Sequence, residues 1–185
     1  MVILKQLKKL WIVWKMPVER SKLHPTVKIW HPDLVNIYDS EIGEGTKIAS
    51  FVEIGGAKVG RFCKIEAHAF ISPGTVIEDY VFIGPHASIQ NDKYPNLLKP
   101  DWIPRPVTIK RGATIGGAAV ILAGVTIGEE ALVGAGAVVL KSIPPKAVIY
   151  GNPARATRFS KREGKARAIK NVFLNKDQQK SKSNS

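Results

Sequence analysis

Aliphatic residues recur through the middle of this chain with a period of six. They stand at Ile42, Ile48, Ile54, Val59, Ile65, Ile71, Ile77, Ile83 and Ile89, and again at Ile109, Ile115, Ile121, Ile127, Val133 and Val139. Only the step from Ile54 to Val59 is short, by one residue. Four residues after most of them comes a small or β-branched partner, such as Thr46, Cys63, Ala87, Ala119 or Ala137. Helical spacing of three and four does not describe this pattern, and neither does strict alternation. A unit of one short strand and one corner does: the aliphatic residue points inward, the small residue packs beside it, and glycine relieves the corner. Three units close a triangular coil of eighteen residues, and stacked coils bury what no single coil buries alone. The pattern predicts an all-β parallel solenoid of about five coils over residues 42–141.

The rhythm stops after Ile89 and resumes at Ile109. The intervening stretch carries Tyr94, Trp102, Leu97, Leu98 and four prolines, at 95, 100, 104 and 106. That is too apolar and too stiff for a disordered loop, and loops of this length inside a compact domain are usually functional. An arm protruding from a smooth prism at residues 90–108 suits wrapping a neighbouring subunit and walling a cleft. Asn91, Asp92, Lys93 and Tyr94 stand at its base, so the break is read as a substrate site. Whether Ile109 resumes on the next face or skips one is open at this level.

Charge changes the picture at the ends. The net charge is +13, yet residues 36–154 hold eleven basic and eleven acidic side chains. The excess sits in residues 1–35, seven against two, and in residues 155–185, ten against two. A nucleic-acid binder would carry its basic stripe on the folded body, so nucleic acid is not an expected partner; small phosphate-bearing ligands and anionic membranes are. Three regions follow: a basic amphipathic extension at 1–30, the coil domain at 31–159, and a basic helix or disordered tail at 160–185. Drawn as a helix, the first residues put Leu4, Leu7, Leu10, Trp11 and Trp14 opposite Lys5, Lys8, Lys9 and Lys15. This fits a cap on the open end of the solenoid, an inter-subunit helix, or a peripheral membrane contact; lysines interrupt it too often for a span. No small-residue cleavage site follows, so the expected location is the cytoplasm, with the inner membrane surface as the variant.

The one cysteine, Cys63, occupies a small-residue slot and reads as a core thiol. His68 and His86 lie eighteen residues apart, each three after an interior aliphatic, so they stack in successive coils. Such a pair marks a site or simply two solvated corner histidines; both readings stand, and no metal site is expected.

The repeat "IGEEALVGAGAVV", the arm after "GPHASIQNDKYP" and the run "AVVLKSIPPKAVIYGNPAR" resemble the hexapeptide-repeat acyltransferases, whose fold is a left-handed parallel β-helix. The resemblance covers residues 31–159. "NDKYP" followed by a Trp-containing arm is most similar to the N-acetyltransferases of nucleotide-linked 3-amino sugars, which serve surface-polysaccharide precursors. The resemblance implies a homotrimer with acetyl-CoA bound in a groove between subunits. Gly117 and Ala135 match the small residues lying against the pantetheine arm, and Lys141, Arg155 and Arg158 match the basic residues around the nucleotide phosphates. It implies an asparagine, here Asn91, holding the acceptor, with Asp92 and Tyr94 orienting the sugar; His68, from its place in the stacked pair, is a further candidate substrate contact.

In the O-acetylating branch a histidine before a proline at the arm's base serves as general base. Here that position is Tyr94. A hydroxyl needs a base to attack a thioester, whereas a neutral amine does not, so the departure favours an amine acceptor. His86 is the candidate base if the acceptor is a hydroxyl instead. Two further rivals are a zinc-dependent carbonic-anhydrase-like prism and a non-catalytic solenoid.

Overall fold

The structure, a computed structural model, describes residues 18–98 and 103–156. Short strands stack into three parallel sheets of seven, six and eight strands, the faces of a triangular prism of the left-handed β-helix class. The first face begins at Val18–Glu19 and ends at Val138–Val139; the second runs from Lys22–Leu23 to Thr126–Ile127. The third runs from Lys28–Ile29 to Val148–Tyr150, where Arg155–Ala156 adds as an antiparallel edge.

The period of six is visible in every rung. In Val76–Ile77, Phe82–Ile83 and Ser88–Ile89 the second residue is buried and the first points outward. Ile83 pairs in register with Ile65 below and Ile115 above, so the interior is a set of aliphatic columns, with twelve isoleucines under 2 % exposed. Backbone hydrogen bonds tie each rung to the next, as from Val120 N to Ala137 O at 2.8 Å. Gly84 shows how closely the coils approach, for a Cβ there would lie 2.5 Å from the Gly117 nitrogen.

The prism holds about seven coils rather than five, because it starts earlier and ends later than the isoleucine rhythm. Residues 18–29, assigned from the sequence to the N-terminal extension, form the first coil. A 3-10 turn at Pro32–Leu34 stretches the step from Ile29 to Ile37 to eight residues, which hides the period there. At the other end Ile143 and Ile149 continue the interior. The segments read as an amphipathic N-terminal helix and a basic tail fall at 1–17 and 157–185, outside the described residues. Cys63 is buried, donates to the Glu78 carbonyl at 3.1 Å, and its thiol is pushed up to about 11 by burial, which suits a core position and not a nucleophile.

The arm does not disturb the lattice. Thr108 pairs with Val76, thirty-two residues earlier instead of eighteen, and Ile109 with Ile77. The chain leaves after the first face and re-enters on the second, so no face is skipped. Arg105 N donates to Asn91 O at 2.8 Å, closing the excursion at its base.

Ile83→Ala is expected to cost about 2–5 kcal/mol, read as a lower urea midpoint, since it leaves a cavity in a column that cannot collapse. Replacement of Lys64, the outward neighbour of Ile65 one coil below, should stay within about 0.5 kcal/mol. Acid should act on the corner between the second and third faces. There the Lys110 ammonium and the Arg111 amide hold the Glu78 carboxylate below its ordinary value of 4.5. Burial would raise Asp79, but the Arg61 amide and guanidinium outweigh it and hold Asp79 below 3.8. Carboxylates depressed in the folded state stabilise it above their unfolded values, and that contribution is lost as pH falls through the folded ones. Thermal unfolding of Glu78→Gln should therefore change less than wild type as pH drops below about 4.5.

Candidate functional site

Two corners of the prism carry the predicted site residues. At the corner between the third and first faces the chain turns through a residue with positive φ on successive coils: Phe51, His68, His86, Ala118 and Gly136. This conformation aims their side chains along one line up the corner. Phe51 stacks on His68 at 4.8 Å, and His68 on His86 at 4.6 Å with the ring planes only 4° apart. The rings stop at His86, because the next two rungs offer a methyl and a hydrogen. His86 thus borders a strip of small residues formed by Gly117, Ala118, Ala135 and Gly136.

That strip fits a ligand lying against backbone. A Cβ on Gly117 would meet the Pro85 carbonyl oxygen at 3.2 Å and its ring at 3.5 Å, and Gly136 N donates to Gly117 O at 2.8 Å, so Gly117 and Ala135 sit on consecutive rungs. Above them the chain turns through Gly151 to Ala154. Val138 N donates to Gly151 O at 3.0 Å and Ala154 N to Val138 O at 2.8 Å, which seats the turn over the top of the strip. The Tyr150 ring covers Gly134, where any Cβ would collide with it. Arg155 leaves this turn exposed, donating from Nη1 to its neighbour's carbonyl, Ala154 O, at 2.9 Å.

The second corner, between the first and second faces, carries the arm. Asn91 Nδ2 donates to Pro73 O at 3.0 Å, one coil below, which fixes the amide at the base of the excursion. Asp92 Oδ1 accepts from Tyr94 N at 2.9 Å in a tight local turn. Lys93 Nζ lies 5.4 Å from the Tyr94 ring centroid. Further out the arm's apolar side chains stand in solvent: Leu97 is 104 % exposed, Leu98 90 % and Ile103 74 %. Lys141 belongs to this corner too, two rungs above Asn91, since Ile89, Ile121 and Val139 are in register.

The structure thus divides the predicted residues into two groups. His68, His86, Gly117, Ala135 and Arg155 share the ring corner; Asn91, Asp92, Tyr94 and Lys141 share the arm corner. Arg158 lies outside the described residues. One strand, Ser88–Ile89, separates His86 from Asn91; five extended residues span about 16 Å. Among the described residues no group of three or more His, Cys, Asp or Glu is arranged to hold a metal.

Sequence reasoning missed Phe51, Pro73 and Tyr150. Pro73 lies eighteen residues before Asn91, so its carbonyl was within reach of the same period count. Phe51 lies seventeen before His68, because the short step between Ile54 and Val59 falls between them. Tyr150 follows the last regular rung, where no period remained to count.

The bacterial transferase hexapeptide (six repeats) family profile matches residues 106–141. That match lies within the coils of the left-handed β-helix, whose six-residue repeat runs on both sides of the arm. Over 47 residues, 25% of this chain and 24% of the relative, it is 45% identical to a dTDP-3-amino-3,6-dideoxy-alpha-D-galactopyranose 3-N-acetyltransferase of Aneurinibacillus thermoaerophilus. The chain spans about a quarter of the length of the curated relatives it matches. Among solved structures, a Bacillus cereus protein described as a candidate acetyltransferase superposes with a TM-score of 0.66 at 26% identity, covering 86% of this chain and 90% of that one. The fold is also shared with the N-acyltransferase AntD of Bacillus cereus, solved with dTDP and coenzyme A, at TM-score 0.62 and 20% identity, over 91% and 95% of the two chains.

The ring ladder makes a prediction that needs no substrate. In His68→Ala the His86 ring protons should lose the upfield shift that a stacked neighbour imposes, and in His68→Phe they should keep it, as read by proton NMR. Unchanged His86 resonances in both variants would mean that the stack does not hold the ring.

Proposed function

We propose that this chain is an acetyl-CoA-dependent N-acetyltransferase acting on the amino group of a nucleotide-linked amino sugar, and that it works as a homotrimer. The observation that carries this reading is the strip of small residues at Gly117, Ala118, Ala135 and Gly136, bordered by His86 and roofed by the turn that bears Arg155. A strip without side chains lets an extended, narrow arm such as pantetheine lie against the backbone. Arg155 beside it supplies a fixed positive charge for phosphates.

The separation of the two corners supports the oligomer. No acceptor atom touches both Asn91 and His86 of one chain across about 16 Å. The arm of one copy laid against the ring corner of the next brings the groups together, and it buries Leu97, Leu98 and Ile103 in the same step. In a closed ring each copy then lends an arm to one site and a corner to another. Lys141, on the arm side, joins Arg155 around the phosphates only in such an assembly.

The chemistry follows from the residues at the arm's base. The neutral amine of the sugar attacks the thioester carbonyl carbon, the carbon–sulfur bond breaks, and the proton released by nitrogen passes to the departing thiolate. Asn91, anchored through Nδ2 on Pro73 O, presents its Oδ1 to a substrate N–H and so aims the amine. Tyr94, in place of a histidine, offers a hydroxyl to the sugar. The likeness to an amino-sugar N-acetyltransferase supports this acceptor class. The alternative, O-acetylation of a sugar hydroxyl, is favoured by one observation: His86 is exposed at the end of its ladder, free to serve as a base.

Release of free CoA thiol from acetyl-CoA separates the two, using nucleotide sugars matched except for an amine or a hydroxyl at the same carbon. Turnover is expected on the amine, retained in His86→Ala and reduced about a hundredfold in Asn91→Ala, the scale at which positioning losses operate. Turnover on the hydroxyl that disappears in His86→Ala would replace this reading with the O-acetyl one.

A further inference from the structure

Over most of the prism, charged side chains on neighbouring coils face opposite charges. On the second face Lys22 is in register with Glu41, and Glu41 with Lys58; Lys22 and Glu41 approach to 3.8 Å. Arg20 pairs with Asp39 at 2.6 Å, Arg61 with Asp79 at 2.9 Å, and Lys110 with Glu78 at 2.8 Å. The third face breaks this habit. Lys28 is in register with Lys47, and Lys47 with Lys64. The three lysines point outward, one strand spacing of about 4.8 Å apart. Like charges directly opposite each other in a sheet are destabilising. Lys64 is paired with Glu66, but among the described residues neither Lys28 nor Lys47 has a carboxylate within ion-pair distance.

An aromatic residue accompanies the column. Lys28 Nζ lies 3.9 Å from the ring centroid of Trp30, which is 52 % exposed at the end of the prism where the chain enters. The seventeen residues before Val18 add Lys5, Lys8, Lys9, Lys15, Trp11 and Trp14, and contain no Asp or Glu. The folded surface and the sequence leading into it therefore concentrate the same two residue types, Lys and Trp, at one end of a body that is otherwise charge-neutral.

We propose that the column Lys28, Lys47 and Lys64, with Trp30, is a docking surface for an anionic lipid bilayer. Lysines at a membrane surface are attracted to acidic headgroups, which removes their mutual repulsion, and an exposed indole suits the boundary between headgroups and acyl chains. The column spans only three coils of one sheet face, short for following a polynucleotide backbone, and the aromatic pair on the flanking corner, Phe62 and Tyr80, is already stacked on itself at 5.4 Å. This inference does not depend on the acetyltransferase reading, for it uses none of the residues of either site corner.

The test is sedimentation of the full chain at low salt with vesicles of phosphatidylcholine, with and without phosphatidylglycerol. Binding is expected only when the anionic lipid is present, and to fall as salt is raised. Lys28→Gln with Lys47→Gln should weaken it about 25-fold, taking about fivefold for each basic residue near the surface. Lys22→Gln with Lys58→Gln, two lysines on the second face, should stay within about twofold of wild type. Lys47→Gln alone, which leaves the Lys28–Trp30 contact in place, should unfold at the same temperature as wild type or higher, because a repulsion has been removed. Absence of binding to anionic vesicles would overturn the proposal. So would an equal loss in the second-face variant, undiminished binding of the column variant, or tighter binding to single-stranded RNA than to vesicles.

Discussion

Everything in this molecule depends on one register, in which the strands of the coils hydrogen-bond in parallel to the strands one coil away and set aliphatic residue, mostly isoleucine, on aliphatic residue. A single two-residue strand has almost no stability of its own. Repeated along three faces, it becomes a continuous aliphatic interior with its polar backbone satisfied by the neighbouring coils. Because side chains alternate in and out along each strand, the register that buries Ile83 on Ile65 also fixes what stands outside and at the corners. The stack of Phe51, His68 and His86, the small-residue strip above it and the lysine column on the third face are consequences of that vertical alignment.

The same alignment explains why a long excursion is tolerated. The arm begins and ends at one corner, and Arg105 N to Asn91 O closes its base, so Thr108 and Ile109 take the places the lattice requires over Val76 and Ile77. The core loses nothing, and the exposed arm is left to contribute surface. Leu97, Leu98 and Ile103 of the arm stand in solvent in a single chain, and the corner bearing His86 stands across the face from the arm's base. A site assembled from an arm and a neighbour's corner accounts for both facts.

Much of the architecture was legible because the interior residues obey a strict count. Where the count is intact, from Ile65 to Ile89 and from Ile109 to Val139, sequence and structure agree strand by strand. Where it slips it misleads: the eight-residue step from Ile29 to Ile37 concealed the first coil, and the short step before Val59 concealed the partnership of Phe51 with His68. The candidate site was legible only in part, for a different reason. The period places residues on a corner, so His68 could be grouped with His86 and Gly117 with Ala135 from spacing alone, while the arm between Ile89 and Ile109 hid that the two pairs share one corner. It does not say which corners meet, so it could not show that Lys141, one unit beyond Ala135, stands on the same corner as Asn91. Anchors made by backbone atoms, such as Pro73 O beneath Asn91, carry no side-chain signature to read.

The idea that the site is shared between copies is tested most directly by complementation. Asn91→Ala damages the arm side and Gly117→Val the ring-corner side; each alone should be inactive or nearly so. Unfolded together in equal amounts and refolded, they form mixed rings in which some sites combine an intact arm from one chain with an intact corner from the next. In a cyclic trimer that fraction is about a quarter, so recovery of acetyl transfer to about a quarter of the wild-type rate is expected. No recovery, with each variant folded and assembled, would mean that one chain carries a complete site by itself.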